Sequence, residues 1–558
     1  MTAAIYYHPE AYTTSGPKLM GRNAAGESFL RGFIKHSKAK EFWAQVQKPE
    51  HGQHFAKTVK EQGRQEAVKV VDKASIAALG EIGTIYYPGP GIGEHAFHRA
   101  LAGPNTPHTA WSLCGITHTT SSAGAMDALV ELITAPVQPW DAVICTSTAV
   151  KDNVQRLLQA QVHYLQERLG ISKMVLPMLP VIPLGIHTED FEWSDAQKSK
   201  ARQLIGADHS TLVVLFMGRL SFHAKAHPLA MYQALQKAAI QLATTGQKVI
   251  LVECGWYAND FIQKAYQDAA QQACPLVKVI TLDGRLVSER ETAWASADVF
   301  CSLSDNIQET FGIVPIEAMA SGLPVVVSDW DGYKDTVRDG IDGYRIASCM
   351  PQAGLAKDLA LRHALEVDTY DMYCGHTCSM VSIDIEATAK AFVELCESSE
   401  LRRSMGQAGQ ARARQLYDWA VVIGQYEALW QSQTELRLAA QANNNQKASA
   451  HPWPARIDPF YSFESYPTHT LKPSSVLMMV DPSVQESMTR VLHYQELAMV
   501  NFAKLVLPTN TEIAQVLGVA IKGPSSAQGL LQEITPARQA FVFRSLAWLL
   551  KLGILKLI

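Results

Sequence analysis

The 558-residue chain lacks several features that would narrow its class. It has no basic excess: 49 Lys and Arg stand against 53 Asp and Glu, a formal net charge of −4. That removes the electrostatic footprint of a nucleic-acid-binding protein. Cysteines are few and odd in number, 9 in all. They are scattered, several of them within apolar strand-like stretches, rather than spaced as a disulfide framework, which points to a reducing compartment. No uncharged apolar run is long enough to span a bilayer. The opening "MTAAIYYHPE" has neither a basic region nor an apolar core, so no signal peptide is expected. A cytoplasmic protein is the expectation. What is present is ordinary, with 47% hydrophobic and 18% charged residues, the composition of a globular protein. A chain of this length outgrows one core, and about two to four domains are expected.

Two stretches repeat one alternation. In the first, "AAIYY" reads as a strand, "AAGESFLRGFIKHS" as a helix after a glycine-containing loop, and "GTIYYP", "WSLCGITH" and "DAVICTS" as further strands. "VIPLGIHTEDF" closes this half. In the second, "TLVVLFMG" is a strand, Gly218 to His227 a loop, and "PLAMYQALQKAAIQLATTG" a helix. "KVILVEC", "VKVITLD", "VFCSLS" and "LPVVVS" follow as strands. Strand–helix alternation in both halves argues for α/β architecture with two doubly wound parallel sheets. The boundaries expected are 1–195 for the first domain and 196–440 for the second, whose last helices are placed to pack back on the first. A linker, 441–459, is rich in Ala, Gln, Asn and Pro. A small, mainly helical or winged-helix-like module occupies 460–558. Its end, "FRSLAWLLKLGILKLI", is apolar but carries Arg544, Lys551 and Lys556. It reads as core of that module, with docking on a membrane surface as the alternative.

The stretch "ETFGIVPIEAMASGLPVVVSDWD" carries the chemistry. It follows a buried strand, and Pro315 suits the first turn of a helix that Gly322 ends. Glu309 therefore lies on a loop beyond the carboxyl end of a strand, and Glu317 in the first turn of the helix. In open α/β sheets that edge is where ligands bind. A helix N-terminus suits a phosphate, and Gly312 removes a Cβ that would obstruct backbone approach to a ligand. Carboxylates beside an anion site would repel it, so they read as acceptors for sugar hydroxyls flanking a phosphate. Arg219 and Lys225 project from the loop after another strand at the same edge. Fixed cations there can stabilise a departing diphosphate without a metal.

Together, "QETFGIVPIEAMASGLPVVVSDWDG", "LFMGRLSFHAKAHP" and "VIPLGIHTEDF" resemble glycosyltransferase family 4, retaining enzymes of the two-Rossmann GT-B fold. The resemblance implies that Glu309 contacts donor-sugar hydroxyls and that Glu317 holds the ribose of the nucleotide. It places the backbone N–H groups around Phe311, Gly312, Ile313 and Val314 against the sugar and diphosphate. Arg219 and Lys225 stabilise the leaving group, with Gly218 opening their loop, and His118 stands close to the reacting sugar. Many relatives have glycine after the lysine, where this chain has Ala226. "GRNAAGESF" sits where relatives carry a glycine-rich loop facing the diphosphate, but only Gly21 and Gly26 are present, with Gly26 the donor-side candidate. The base would lie near "LDGRLV", against the backbone of Gly284, Arg285 and Leu286.

The expected activity is retaining transfer from a UDP-, GDP- or ADP-sugar to an acceptor hydroxyl, with no metal or other cofactor. The alternatives are a catalytically silent GT-B scaffold that binds partners, and an epimerase or phosphorylase on the same fold. The acceptor is open between glycan, lipid and peptide. A peripheral contact with the inner face of the membrane is allowed by the tail. Other tempting signals are discounted. "DWD" (Asp329, Trp330, Asp331) follows a strand where family 4 has a variable loop, so it is not read as a metal site. "GPGIG" (Gly89 to Gly93) reads as a turn, and "CGHTC" (Cys374 to Cys378) as a loop with buried thiols.

Overall fold

The computed structural model describes residues 2–13, 21–102, 108–443 and 452–558. The chain forms two compact units, Met1–Trp453 and Pro454–Ile558. The first contains two six-stranded sheets. One is built from β1 Ala4–Tyr7, β2 Glu41–Val46, β3 Ala67–Val71, β4 Thr84–Tyr86, β5 Ser112–Ile116 and β6 Ala142–Ile144, in the order β3-β2-β1-β4-β5-β6. The other is built from β7 Thr211–Met217, β8 Lys248–Gly255, β9 Lys278–Asp283, β10 Val299–Ser302, β11 Val325–Ser328 and β12 Gly343–Ile346, in the order β12-β11-β10-β7-β8-β9. Every pairing in both is parallel. Parallel strands need crossover helices, which cover both faces and bury the central strands. "TLVVLFM" in β7 is accordingly buried at every position. The strand order of each sheet reverses between its first and fourth strands, β1/β4 and β7/β10, the doubly wound α/β arrangement read from the sequence.

The helix Trp419–Ala442 packs against the first sheet although it follows the second. Trp419 fits only because Gly32 and Gly185 face it: a Cβ at either would lie 2.5 Å from its ring. Its indole N–H donates to Ser28 Oγ at 2.8 Å. Farther along, Gln433 Nε2 donates to the carbonyls of Leu113 and Trp140 at 2.8 and 3.0 Å. Tyr426 and Trp430 complete an aromatic cluster with Phe29, Phe33 and Tyr86.

The second unit pairs three short antiparallel strands, β15 Val476–Met479 with β16 Ser525–Ser526 and β17 Leu555–Leu557, numbered after the small β13 Ser348–Cys349 and β14 Ser382–Ile383. Helices Val484–Gln495, Asn510–Ala520 and Pro536–Lys551 complete it. The terminal pattern is therefore a helix followed by a strand, not a helix alone. Val542, Leu546, Leu549, Ile554 and Leu555 are buried in this unit's core. Among the described residues, no helix is long and apolar enough to cross a membrane.

Candidate active site

The strand order of the second sheet reverses between β7 and β10, the position where open α/β sheets leave a crevice. The loops leaving these strands are tied together. Asn306 Nδ2 donates to the His223 carbonyl at 3.1 Å, and the His227 N–H donates to Asp305 Oδ1 at 3.2 Å. On this frame Lys225 Nζ meets Glu309 Oε2 at 2.6 Å, with the side chains 27% and 10% exposed. Oε1 of Glu309 accepts the N–H groups of Thr310 at 3.2 Å and Phe311 at 3.5 Å. Burial pushes the Glu309 carboxyl up, but the Lys225 ammonium and these N–H groups outweigh it and hold it below its ordinary value. Arg219, on the same loop as Lys225, donates Nη2 to the Ala224 carbonyl at 2.8 Å.

The helix Ile313–Ala320 begins next, and its N-cap, Gly312, offers no side-chain cap. The first-turn N–H groups of Ile313 and Val314 therefore have no capping side chain, which leaves donors for an anion. Two details differ from the sequence reading. Gly312 has φ +86°, and a Cβ there would lie 2.0 Å from the Tyr333 ring, so its smallness makes room for Tyr333. The helix starts before Pro315, which moves Glu317 into its second turn. Glu317 is half-buried, and its side chain makes no hydrogen bond among the described residues. Burial raises its carboxyl to about 7 against a downward pull from Arg290, with a smaller upward push from Asp190.

At the adjacent strand ends, backbone crowds backbone. A Cβ on Gly255 would lie 1.9 Å from the Gly218 carbonyl oxygen, and one on Gly284 3.0 Å from the Gly255 Cα. Arg290 braces this edge from the following helix, donating Nη1 to the Gly284 carbonyl at 2.8 Å. Arg285 folds onto Asp283, with Nη2 2.7 Å from Oδ2, and Leu286 is 50% exposed.

Residues of the first sheet converge on the same place. His118 lies just beyond β5, and its carbonyl accepts Thr310 Oγ1 at 2.7 Å. Thr146 Oγ1, beyond β6, donates to the Thr310 carbonyl at 3.1 Å. Thr310 is the neighbour of Glu309, so both sheets help fix that carboxylate. Tyr370 lies within hydrogen-bond distance of Thr119 and Ser121, its hydroxyl 3.1 and 3.2 Å from theirs. Gly26 is different from expectation. It lies inside the helix Gly21–His36, which also takes in Gly21, rather than on a loop. A Cβ on Gly26 would lie 2.2 Å from the Ala11 carbonyl oxygen, so close packing of the helix on that segment accounts for the glycine.

Asp329 and Asp331 of "DWD" face different partners: Arg345 Nε at 3.5 Å and the Ser147 hydroxyl at 3.1 Å. Cys374 and Cys378 are buried, as expected, but on the helix Tyr370–Cys378 rather than a loop. Sequence reasoning missed Gly255, Arg290 and Thr310. Gly255 had a legible signal, a glycine directly ending the run "KVILVEC". The other two are given away only by their contacts.

With this geometry in place, the relatives can be compared. Residues 197–361 match the family described as "Glycosyl transferases group 1". The phosphatidyl-myo-inositol mannosyltransferase of Mycobacterium leprae is 28% identical over 310 residues, 54% of this chain and 64% of that protein. The D-inositol 3-phosphate glycosyltransferase of Mycolicibacterium gilvum is 26% identical over 259 residues, 44% of this chain and 50% of that protein. The chain thus spans less than two thirds of the length of these curated relatives. A solved structure of Anabaena Alr3699/HepE in complex with UDP and glucose aligns with 77% of this chain and all of its own, at 16% identity and TM-score 0.46. The matched segment contains Arg219, Lys225, Glu309 and Glu317, and over it the chain is similar to the glycosyl transferases of group 1.

Proposed function

We propose that this chain is a retaining glycosyltransferase that moves a sugar from a nucleotide-sugar to an acceptor hydroxyl without a metal. The observation that carries the reading is the Lys225–Glu309 pair. It lies beside an uncapped helix N-terminus, within the segment that matches group 1. Glu309 is committed to Lys225 and to backbone N–H groups, which suits an acceptor for sugar hydroxyls rather than a nucleophile. The acceptor oxygen would bond to C1 of the donor sugar as the bond from C1 to the phosphate oxygen breaks. The hydroxyl proton would pass to the departing diphosphate on the same face. Lys225 has three N–H donors, of which Glu309 takes one, and Arg219 has five, of which the Ala224 carbonyl takes one. The remaining donors and the first-turn N–H groups would stabilise the growing negative charge. Glu317, whose side chain makes no hydrogen bond among the described residues, would take the ribose hydroxyls.

The test is incubation of the full chain with UDP-, GDP- and ADP-sugars in EDTA. Released nucleoside diphosphate is measured, and the product anomer is read by NMR. Names among the relatives refer to phosphatidyl-myo-inositol and D-inositol 3-phosphate, so both enter the acceptor screen. Diphosphate release in EDTA with retained configuration is expected. Inversion would refute the retaining mechanism, and activity restored only by manganese would refute metal independence. No release, and no thermal stabilisation by any nucleoside diphosphate, would favour the silent scaffold.

A further inference from the structure

Asp331 stands in an unfavourable backbone position. Its φ is +41°, the left-handed region that favours glycine. The surrounding chain nevertheless fixes it there. Trp330 Nε1 donates to the Asn306 carbonyl at 3.1 Å, and the Lys334 N–H donates to the Asp331 carbonyl at 3.2 Å. Gly332 packs so tightly on Phe311 that a Cβ would lie 2.5 Å from its backbone. Strain of this kind persists only where neighbouring structure enforces it, and it gathers at functional sites.

The carboxyl adds further costs. Ser147, at the start of the helix Thr148–Leu169 on the first-sheet side, donates its hydroxyl to Oδ1 at 3.1 Å. The other oxygen, Oδ2, is buried and has no hydrogen-bond partner among the described residues. Burial, and then the Glu309 carboxylate nearby, push the Asp331 carboxyl up to about 7, against smaller pulls from Ser147 and the Gly332 N–H. A strained backbone, an orphaned oxygen and a like charge alongside all disfavour aspartate here. Each would be relieved by glycine.

We propose that Asp331 is a donor-specificity residue: its carboxyl, aimed by Ser147 and set beside Glu309, hydrogen-bonds a hydroxyl of the transferred sugar. The orphaned oxygen then receives the donor that the protein does not supply. The sugar is gripped by a carboxylate pair, Glu309 from the loop after β10 and Asp331 from the loop after β11. Epimers or deoxy-sugars that lack the matching hydroxyl would leave that oxygen unpaired and be rejected. This inference rests on the glycosyltransferase reading above.

The experiment compares the full-length wild type with Asp331→Gly and Asp331→Asn. It uses UDP-glucose, GDP-mannose, ADP-glucose and deoxy analogues of whichever donor is turned over. Asp331→Gly is expected to melt at or above the wild-type temperature, because it relieves strain and burial together. Affinity for the bare nucleoside diphosphate should not change. The kcat/KM for the nucleotide-sugar should fall about 10- to 100-fold, the range of a hydrogen bond to a charged group. Asp331→Asn keeps an acceptor oxygen and should retain part of the activity. It also carries the test if the glycine variant folds poorly. Discrimination against one particular deoxy-sugar should shrink in both variants. Unchanged kcat/KM in Asp331→Gly would overturn the proposal, as would an equal loss of nucleoside diphosphate affinity. A wild type inert toward every donor would instead overturn the glycosyltransferase reading, and this inference with it.

Discussion

Removing the charge of Lys225 isolates the pair on which the site is built. Lys225→Met keeps the length of the side chain but leaves Glu309, only 10% exposed, without its cation. Breaking a fully buried pair costs about 3–5 kcal/mol. Here Glu309 retains the Thr310 and Phe311 N–H groups, and Lys225 is 27% exposed. The expected loss is therefore about 2 kcal/mol, within the range for an unsatisfied buried acceptor. At ~2–4 °C per kcal/mol for a large domain, the melting temperature should fall by about 4–8 °C.

The pH dependence gives the sharper signature. In the wild type the folded carboxyl sits below its ordinary 4.5, so the pair's stabilisation is present above that pH and is lost as pH falls through the folded value. In the variant the upward push of burial is less opposed, and the folded carboxyl rises. The variant then loses stability as pH climbs from 4.5 toward that raised value. The gap between the two proteins should thus be smallest at acid pH and widen as pH rises through and beyond 4.5 in scanning calorimetry. The double variant Lys225→Met/Glu309→Gln should recover most of the loss, since removing both charges strands neither. Its turnover should stay down by about 100-fold or more, the cost of losing a fixed stabiliser of transition-state charge. A double variant no more stable than Lys225→Met, or a gap that ignores pH, would refute the ion-pair account.

Two further outcomes are expected. Glu317→Ala should raise the Kd for nucleoside diphosphate about tenfold with little change in kcat, because a ribose contact is made in ground and transition states alike. Unchanged affinity in calorimetric titration would remove Glu317 from the ribose. With its folded carboxyl at about 7 against an ordinary 4.5, Glu317 should also erode stability as pH rises between those values, and Glu317→Gln should flatten that slope. A chain ending at Trp453, the boundary of the first unit, should fold, bind donor and release diphosphate slowly while losing transfer to its acceptor. Unfolding would make the second unit part of the catalytic core. Intact transfer would end the idea that it recognises the acceptor.

The central strands were legible because burial on both faces demands uninterrupted apolar runs, as in "TLVVLFM" and "KVILVEC". The edge and near-edge strands were not. In β3, "AVKVV" lies at the margin with most positions open to solvent, so its composition escapes the pattern. In β2, "EFWAQV" places Glu and Gln within a largely buried strand. Glu309, Glu317 and Lys225 were legible as residue types after strands, but the exposure of Glu309 was not. Its neighbour Thr310 is tied to His118 and Thr146 of the other sheet, contacts distant in sequence that no local pattern reports. The room Gly312 makes for the Tyr333 ring was not legible because Tyr333 is distant in sequence. The strain at Asp331 is a dihedral, and no residue pattern reports one.

The return of Trp419–Ala442 to the first sheet has a consequence for engineering by recombination. The packing layer around the first sheet is discontinuous in the gene: Trp419 is seated by Gly32 and Gly185, and Gln433 by carbonyls of Leu113 and Trp140. A chimera that exchanges only the stretch up to about residue 195 would pair a foreign sheet with a helix cut for another. The lost cavity fit of one tryptophan alone would be worth about 3–5 kcal/mol. Exchangeable blocks in this chain are therefore the first stretch together with Trp419–Ala442, or the intervening second sheet as an insert. A crossover map that respects this should yield folded chimeras where single-crossover libraries yield aggregates.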